Sequence, residues 1–125
     1  MASIESRGPR QIYRALLWSI KGLRAAWRHE ASFRLELYLA VVLVPLGLWL
    51  GHGGVEKLLL GGIPLLVLSA ELLNSAVEAV VDKVSPEYDE LAGRAKDMGS
   101  AAVFLLMLLV VLTWILLLGP RLLAG

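Results

Sequence analysis

An acidic stripe interrupts an apolar run that is otherwise fit for a bilayer. In the segment Glu71-Leu-Leu-Asn-Ser-Ala-Val-Glu-Ala-Val-Val-Asp82, the polar residues Glu71, Asn74, Glu78 and Asp82 stand three, four and four residues apart. On a helix that spacing puts all four on one face. Ionised carboxylates in or near hydrocarbon are expensive, so they face a bundle interior and usually do a job. This restricts the fold to helices packed against one another in a membrane, with a cation near the stripe.

Composition supports the same solvent. Of 125 residues 58% are hydrophobic, and the mean hydropathy is +0.71, more apolar surface than a soluble domain of this size can hide. With no cysteine, disulfides and thiolate metal sites are excluded, and any metal would take oxygen or histidine ligands. The net charge of +1 says little, but its distribution says more. Of 12 Lys and Arg, seven precede the first long apolar run: Arg7, Arg10, Arg14, Lys21, Arg24, Arg28 and Arg34. The basic, interrupted N-terminus lacks the pattern of a secretory signal, so insertion by the chain's own helices is expected.

The chain reads as a single all-α integral-membrane domain over residues 1–125. Residues 1–9 look like a short flexible tail ending in Gly8-Pro9. Residues 10–29 read as an amphipathic surface helix, with Ile12, Leu16, Ile20, Leu23 and Trp27 on one face and Arg10, Arg14, Lys21, Arg24 and Arg28 on another. Such a helix lies in the membrane interface with its cations at the headgroups. Three spans follow, at about 32–50, 56–82 and 98–118, the last uncharged and long enough to cross unaided. Trp49 and Trp114 suit an interface near one membrane side. The positive-inside rule puts the N-terminus and a loop over 83–97 in the cytoplasm and the C-terminus outside, in the periplasm of a cell with an inner membrane. Three helices can hardly enclose the stripe. The small residues Ser69, Ala70, Ser75, Ala76 and Ala79 beside it permit close helix approach, so a homo-oligomer is expected. Copy number does not follow from this.

The inferred cytoplasmic side collects Glu30, the stripe, and, from the expected loop, Glu87, Asp89, Arg94, Lys96 and Asp97. Carboxylates without histidine or cysteine partners suit a hard divalent cation, most simply Mg²⁺. Arg94 and Lys96 suit phosphate oxygens. Together these are the working parts of phosphoryl transfer from a nucleotide, with one carboxylate left free to take a proton from an acceptor hydroxyl. Neither the P-loop nor the protein-kinase glycine pattern occurs, so a kinase here belongs to neither common class. His29 and His52 read as interfacial polar residues, and Glu56, Lys57 and Glu90 as solvated charges. Spacing alone leaves the stripe open between a catalytic site and an ion pathway or packing network.

Three segments together resemble the small integral-membrane diacylglycerol kinases of Gram-negative bacteria. They are Lys21-Gly-Leu-Arg-Ala-Ala-Trp-Arg-His-Glu-Ala-Ser-Phe-Arg34, the acidic segment above, and Glu87-Tyr-Asp-Glu-Leu-Ala-Gly-Arg-Ala-Lys-Asp-Met-Gly-Ser-Ala-Ala102. The related undecaprenol kinases share the acidic motif. The resemblance implies a homotrimer of three-span subunits with composite active sites. It implies Glu71 as general base on the lipid hydroxyl, Glu30 and Glu78 as holders of the metal on the nucleotide, and Asn74 and Asp82 as residues that order the site. It further implies nucleotide contacts from Trp18, Glu87, Tyr88, Asp89, Lys96 and Asp97, with Lys96 on the phosphates. Ala15, Arg24, Ser32, Phe33, Arg34, Glu36, Ser100 and Trp114 would border the lipid. Three positions depart from the family pattern: Gln11 where arginine is common, Trp18 where tyrosine is common, and Leu35 where a polar residue is common.

The expected function is therefore an ATP- and Mg²⁺-dependent lipid kinase that converts diacylglycerol to phosphatidate at the cytoplasmic face of the inner membrane. A polyprenol kinase is the alternative within the same class. A small oligomeric cation or proton channel lined by the stripe is the alternative from another class. A channel has no use for Lys96 and Asp97 near the carboxylates or for a basic lipid-facing helix; a kinase needs both.

Overall fold

A computed structural model of the chain describes residues 8–124, so the expected N-terminal tail falls, for residues 1–7, outside the described residues. Every regular element among the described residues is helical. Helix α1 spans Pro9–His29, α2 Ala31–Leu50 and the short α3 Gly53–Lys57. A π-helical turn, Leu58–Gly62, leads into α4, Ile63–Val84, and α5 runs over Glu90–Ala124.

Helix α1 begins with Pro9, whose missing N–H would be unpaired in a first turn anyway. Its apolar residues Ile12, Leu16, Leu23 and Trp27 remain exposed and only Ala26 is buried, as suits a helix lying on an interface rather than on a core. Three stretches are long and apolar enough to cross a membrane: Ala31–Leu50, Gly53–Val84 and Glu90–Ala124. The second therefore begins before residue 56 and carries the π turn within it. Pro64 brings no N–H to the carbonyl four residues earlier, and a widened turn is one of the local adjustments that re-satisfy freed backbone groups in membrane helices.

That turn is also where α2 comes closest. A side-chain carbon on Gly47 would lie 2.6 Å from the Leu60 carbonyl carbon and 2.7 Å from the Gly61 nitrogen, so only glycine permits this backbone approach. Helix α4 packs most extensively on α5 and α2, and α1 touches the others only lightly. The core is thin, with Phe33 and Leu60 as its largest fully buried side chains. The most apolar window of α5 has a mean hydropathy of 3.0, yet only 6% of it is buried within the chain. A surface that apolar is matched to lipid or to neighbouring chains, not to water.

One expectation needs correction and one needs refinement. The segment 83–97 is not a loop throughout: helix resumes at Glu90, and Arg94, Lys96 and Asp97 stand on the first turns of α5. The cause is local. The Ala92 N–H donates to Asp89 Oδ2 at 3.1 Å, and the Gly93 N–H to the Asp89 carbonyl at 2.8 Å, which makes Asp89 the residue that caps α5. Glu56 is a partly exposed helix-end charge, but it is not alone in solvent. It pairs with Arg121, which also donates to the Leu50 carbonyl at 3.2 Å, while the His52 N–H donates to Glu56 at 3.0 Å. These contacts tie the end of α5 to the turn between α2 and α3. Glu90 is exposed, as expected.

Candidate active site

The site is organised by a one-residue elbow. Glu30 alone separates α1 from α2, with extended backbone angles of φ −120° and ψ 105°. Arg34 stabilises the bend: its Nη1 donates to the Trp27 carbonyl at 2.7 Å and lies 3.4 Å from that of Arg28. A cation on the last carbonyls of a helix also complements its dipole. Trp27 meets Tyr38 edge to face across the elbow, ring centroids 5.8 Å apart and planes at 76°.

Below the elbow lies a cavity of about 380 Å³ between α2, α4 and α5. Glu30, Ser32 and Glu36 line it from the elbow and α2; Glu71, Asn74 and Glu78 from α4; Ser100, Val103, Phe104 and Met107 from α5. The stripe thus points where its spacing indicates, and its burial falls along α4. Glu71 and Asn74 are buried, Glu78 is half-buried and Asp82 is exposed. Glu36 is buried as well, and neither it nor Glu71 forms an ion pair among the described residues. Asn74 Nδ2 donates to Glu78 Oε1 at 3.4 Å, a long bond that links two members of the stripe.

A second cavity, about 260 Å³, opens at the end of α4. Asp82, Glu87, Tyr88, Asp89 and Lys96 line it together with Val81, Ser85 and Pro86. The Lys96 ammonium pairs with Asp82 across α4 and α5, so the expected cation does reach the stripe, at its exposed end. Asp82 and Glu71 are about 16 Å apart along the helix axis at 1.5 Å per residue. Lys96 of one chain therefore stands well away from Glu71 of the same chain. Asp97 is exposed on α5 and lines neither cavity.

The lipid-side candidates scatter more widely. Ala15, Trp18 and Arg24 are exposed on α1. Phe33 is 2% exposed and belongs to the core. Trp114 is half-buried on α5, about 21 Å beyond Ser100 along the helix axis. A gap of about 670 Å³ separates α1 from α4, floored by Ser75, Ala76 and Ala79, the same small residues expected to permit close approach. Val103, Phe104 and Met107 complete the acidic cavity and were not singled out by sequence. They follow Ser100 at three, four and seven residues, so the helical face of Ser100 carried the signal.

Whether magnesium fits can be judged from the donors. Among the described residues no group of three or more His, Cys, Asp or Glu is arranged to hold a metal ion by itself. Magnesium in nucleotide sites needs only one or two protein carboxylates, the remaining ligands being phosphate oxygens and water. Glu30 and Glu78, two hard oxygen donors on one cavity, meet that requirement.

Comparison with known proteins gives a consistent result. The profile of the family described as prokaryotic diacylglycerol kinase matches residues 17–118. A diacylglycerol kinase of Escherichia coli is 48% identical over 108 residues, covering 86% of this chain and 88% of that protein. A diacylglycerol kinase of Haemophilus influenzae is 47% identical over 97 residues, covering 78% and 82%. One from Pseudomonas aeruginosa is 45% identical over 107 residues, covering 86% and 87%.

Proposed function

The chain belongs to the prokaryotic diacylglycerol kinase family and is a lipid kinase, and from that premise we propose that it transfers the terminal phosphoryl group of ATP to the free hydroxyl of diacylglycerol at the cytoplasmic face of the inner membrane. The observation that carries the proposal is the cavity below the elbow, in which Glu30, Glu36, Glu71, Asn74, Glu78 and Ser100 converge toward one end of the bundle. A lipid hydroxyl sits at headgroup level and the nucleotide arrives from water, so a site straddling that boundary serves both substrates.

In this reading Glu71 accepts the hydroxyl proton as the lipid oxygen bonds to phosphorus and the bridging bond to the leaving diphosphate breaks. Its place deepest in the stripe suits the apolar substrate. Glu30 and Glu78 would hold magnesium on the nucleotide; when bound, the ion supplies neutralisation of phosphate charge. Asn74 keeps Glu78 oriented. Lys96, drawn from the Asp82 pair, would serve the phosphates, and Glu87, Tyr88, Asp89 and Trp18 would contact the rest of the nucleotide. Ser32, Arg34, Glu36, Ser100 and the face of α1 from Ala15 to Arg24 would border the lipid, with Trp114 far along an acyl chain. Catalysis is then mainly positioning and charge neutralisation.

The active assembly in this proposal is a homotrimer with sites shared between subunits. The exposed apolar surface of α5 and the axial separation of Glu71 from Lys96 within one chain support that. The N-terminus and the turn after α4 would be cytoplasmic, where the cations gather, and the C-terminus periplasmic. The decisive experiment offers diacylglycerol and undecaprenol, with labelled ATP, to the purified protein in lipid micelles. Label in diacylglycerol is the expected result; label in neither lipid would overturn the reading, and label in undecaprenol alone would move it to the polyprenol branch.

A further inference from the structure

We infer that Gly99 is a positioning residue for this site: by lacking a side chain it lets the Asn74 carboxamide hold its NH₂ toward Glu78. Helix α5 passes α4 at this point with no space between them. A β-carbon built on Gly99 would collide with Asn74 Oδ1 and lie 3.3 Å from Asn74 Cγ. Asn74 is 9% exposed, so its amide has little room to swing elsewhere.

The amide has two unlike ends, and only one order of them works. Nδ2 is the donor that meets Glu78 Oε1 at 3.4 Å, which leaves Oδ1 facing Gly99. That oxygen is buried and finds no hydrogen-bond donor among the described residues. The space it fills is free only because no β-carbon stands on Gly99. Alanine at 99 would push the whole amide aside, since a flipped amide would only set Nδ2 against the same methyl. The contact from Nδ2 to Glu78 Oε1, already 3.4 Å long, would then open, and Glu78 would lose the donor that orients it.

The inference rests on the reading of Glu78 as a holder of nucleotide-bound magnesium. The experiment measures, against free magnesium, both turnover at saturating nucleotide in diacylglycerol micelles and binding of a non-hydrolysable ATP analogue, for wild type, Gly99→Ala, Asn74→Ala, the Gly99→Ala/Asn74→Ala pair and Glu78→Gln. Gly119→Ala serves as control, since its added methyl meets only Ile115 Cγ2 at 4.0 Å. Gly99→Ala is expected to raise the half-saturating magnesium concentration about tenfold or more, equivalent to about 1.4 kcal/mol, with the KM for diacylglycerol within about twofold of wild type. On the Asn74→Ala background it should add nothing, because both changes act through one amide.

If Glu78→Gln leaves the magnesium dependence unchanged, the magnesium reading fails, and the non-additivity of the pair alone decides the positioning claim. If Glu78→Gln shifts the dependence while Gly99→Ala does not, the inference is overturned. A full extra loss from Gly99→Ala on the Asn74→Ala background overturns it too. Should Gly99→Ala not assemble, Asn74→Ala must restore assembly by removing the collision; failure to restore it also overturns the inference.

Discussion

Glu71→Gln should lower activity and raise stability together. Glu71 is 5% exposed, faces a cavity shared with Glu36, and has no cationic partner among the described residues. Replacing a buried carboxyl group that has no cationic partner by a neutral amide of similar volume removes the cost of burying a charge there, so folding should be unchanged or favoured. Gln keeps the shape and much of the hydrogen bonding, so packing losses are small. It cannot accept a proton. If Glu71 is the base, turnover falls on the order of a hundredfold or more, which corresponds to about 2.7 kcal/mol on the barrier. The assays are thermal unfolding in micelles, initial rate at saturating substrates, and nucleotide affinity. Glu71→Asp keeps the charge but withdraws it by one methylene, so it should retain more turnover than Gln. Near-normal turnover of the Gln variant removes Glu71 from the base role. A lowered unfolding midpoint would show that the charge is compensated in the folded protein and that the stability argument is wrong. Lost nucleotide affinity with little effect on the chemical step would make Glu71 a ligand instead.

Glu30→Gln and Glu78→Gln should each raise the magnesium requirement, with partial rescue at high magnesium; unchanged titration curves for both would end the metal assignment. Lys96→Ala should leave the unfolding midpoint nearly unchanged, because its pair with Asp82 is largely exposed, yet raise the nucleotide KM about tenfold or more; an unchanged KM argues against a phosphate role. Mixed oligomers of Glu71→Gln and Lys96→Ala chains should regain activity if the two side chains serve one site from different subunits, and proven mixing without recovery rules that pairing out. Arg121→Ala should lower the unfolding midpoint slightly and leave turnover alone, since the Glu56 contact lies at the opposite end of the spans; a large loss of turnover would mean that the two ends are coupled.

The acidic face was legible because helix periodicity is local. Four residues spaced by three and four report their common face wherever the helix lies, and the structure brings Glu71, Asn74 and Glu78 into one cavity. The start of α5 was less legible. Gly93 and the charges around it look like loop, although Asp89 three residues before Ala92 is a helix-cap pattern that a closer reading could weigh. The Arg121–Glu56 contact could not be read at all: its partners are 65 residues apart, and no local rule joins them. The collision that keeps Gly99 bare is likewise a fact of one helix passing another. The π turn has a visible correlate in Pro64, but the choice among kink, break and widened turn depends on what packs there, here Gly47 of α2.

The elbow at Glu30 makes the site a depth gauge. An amphipathic helix floats at a set level of the bilayer, and Glu30 follows α1 directly, before the chain turns down into α2. A carboxylate hung from such a float keeps its height relative to the headgroups even where hydrocarbon thickness varies. Membranes of different thickness would then shift the far ends of the spans, near Arg121, more than the plane of Glu30. In the proposed reaction acceptor choice would then be partly a matter of altitude: a lipid would be accepted when its hydroxyl rests at that plane, and one whose hydroxyl rides higher or sinks lower would be refused without any contact to its tails.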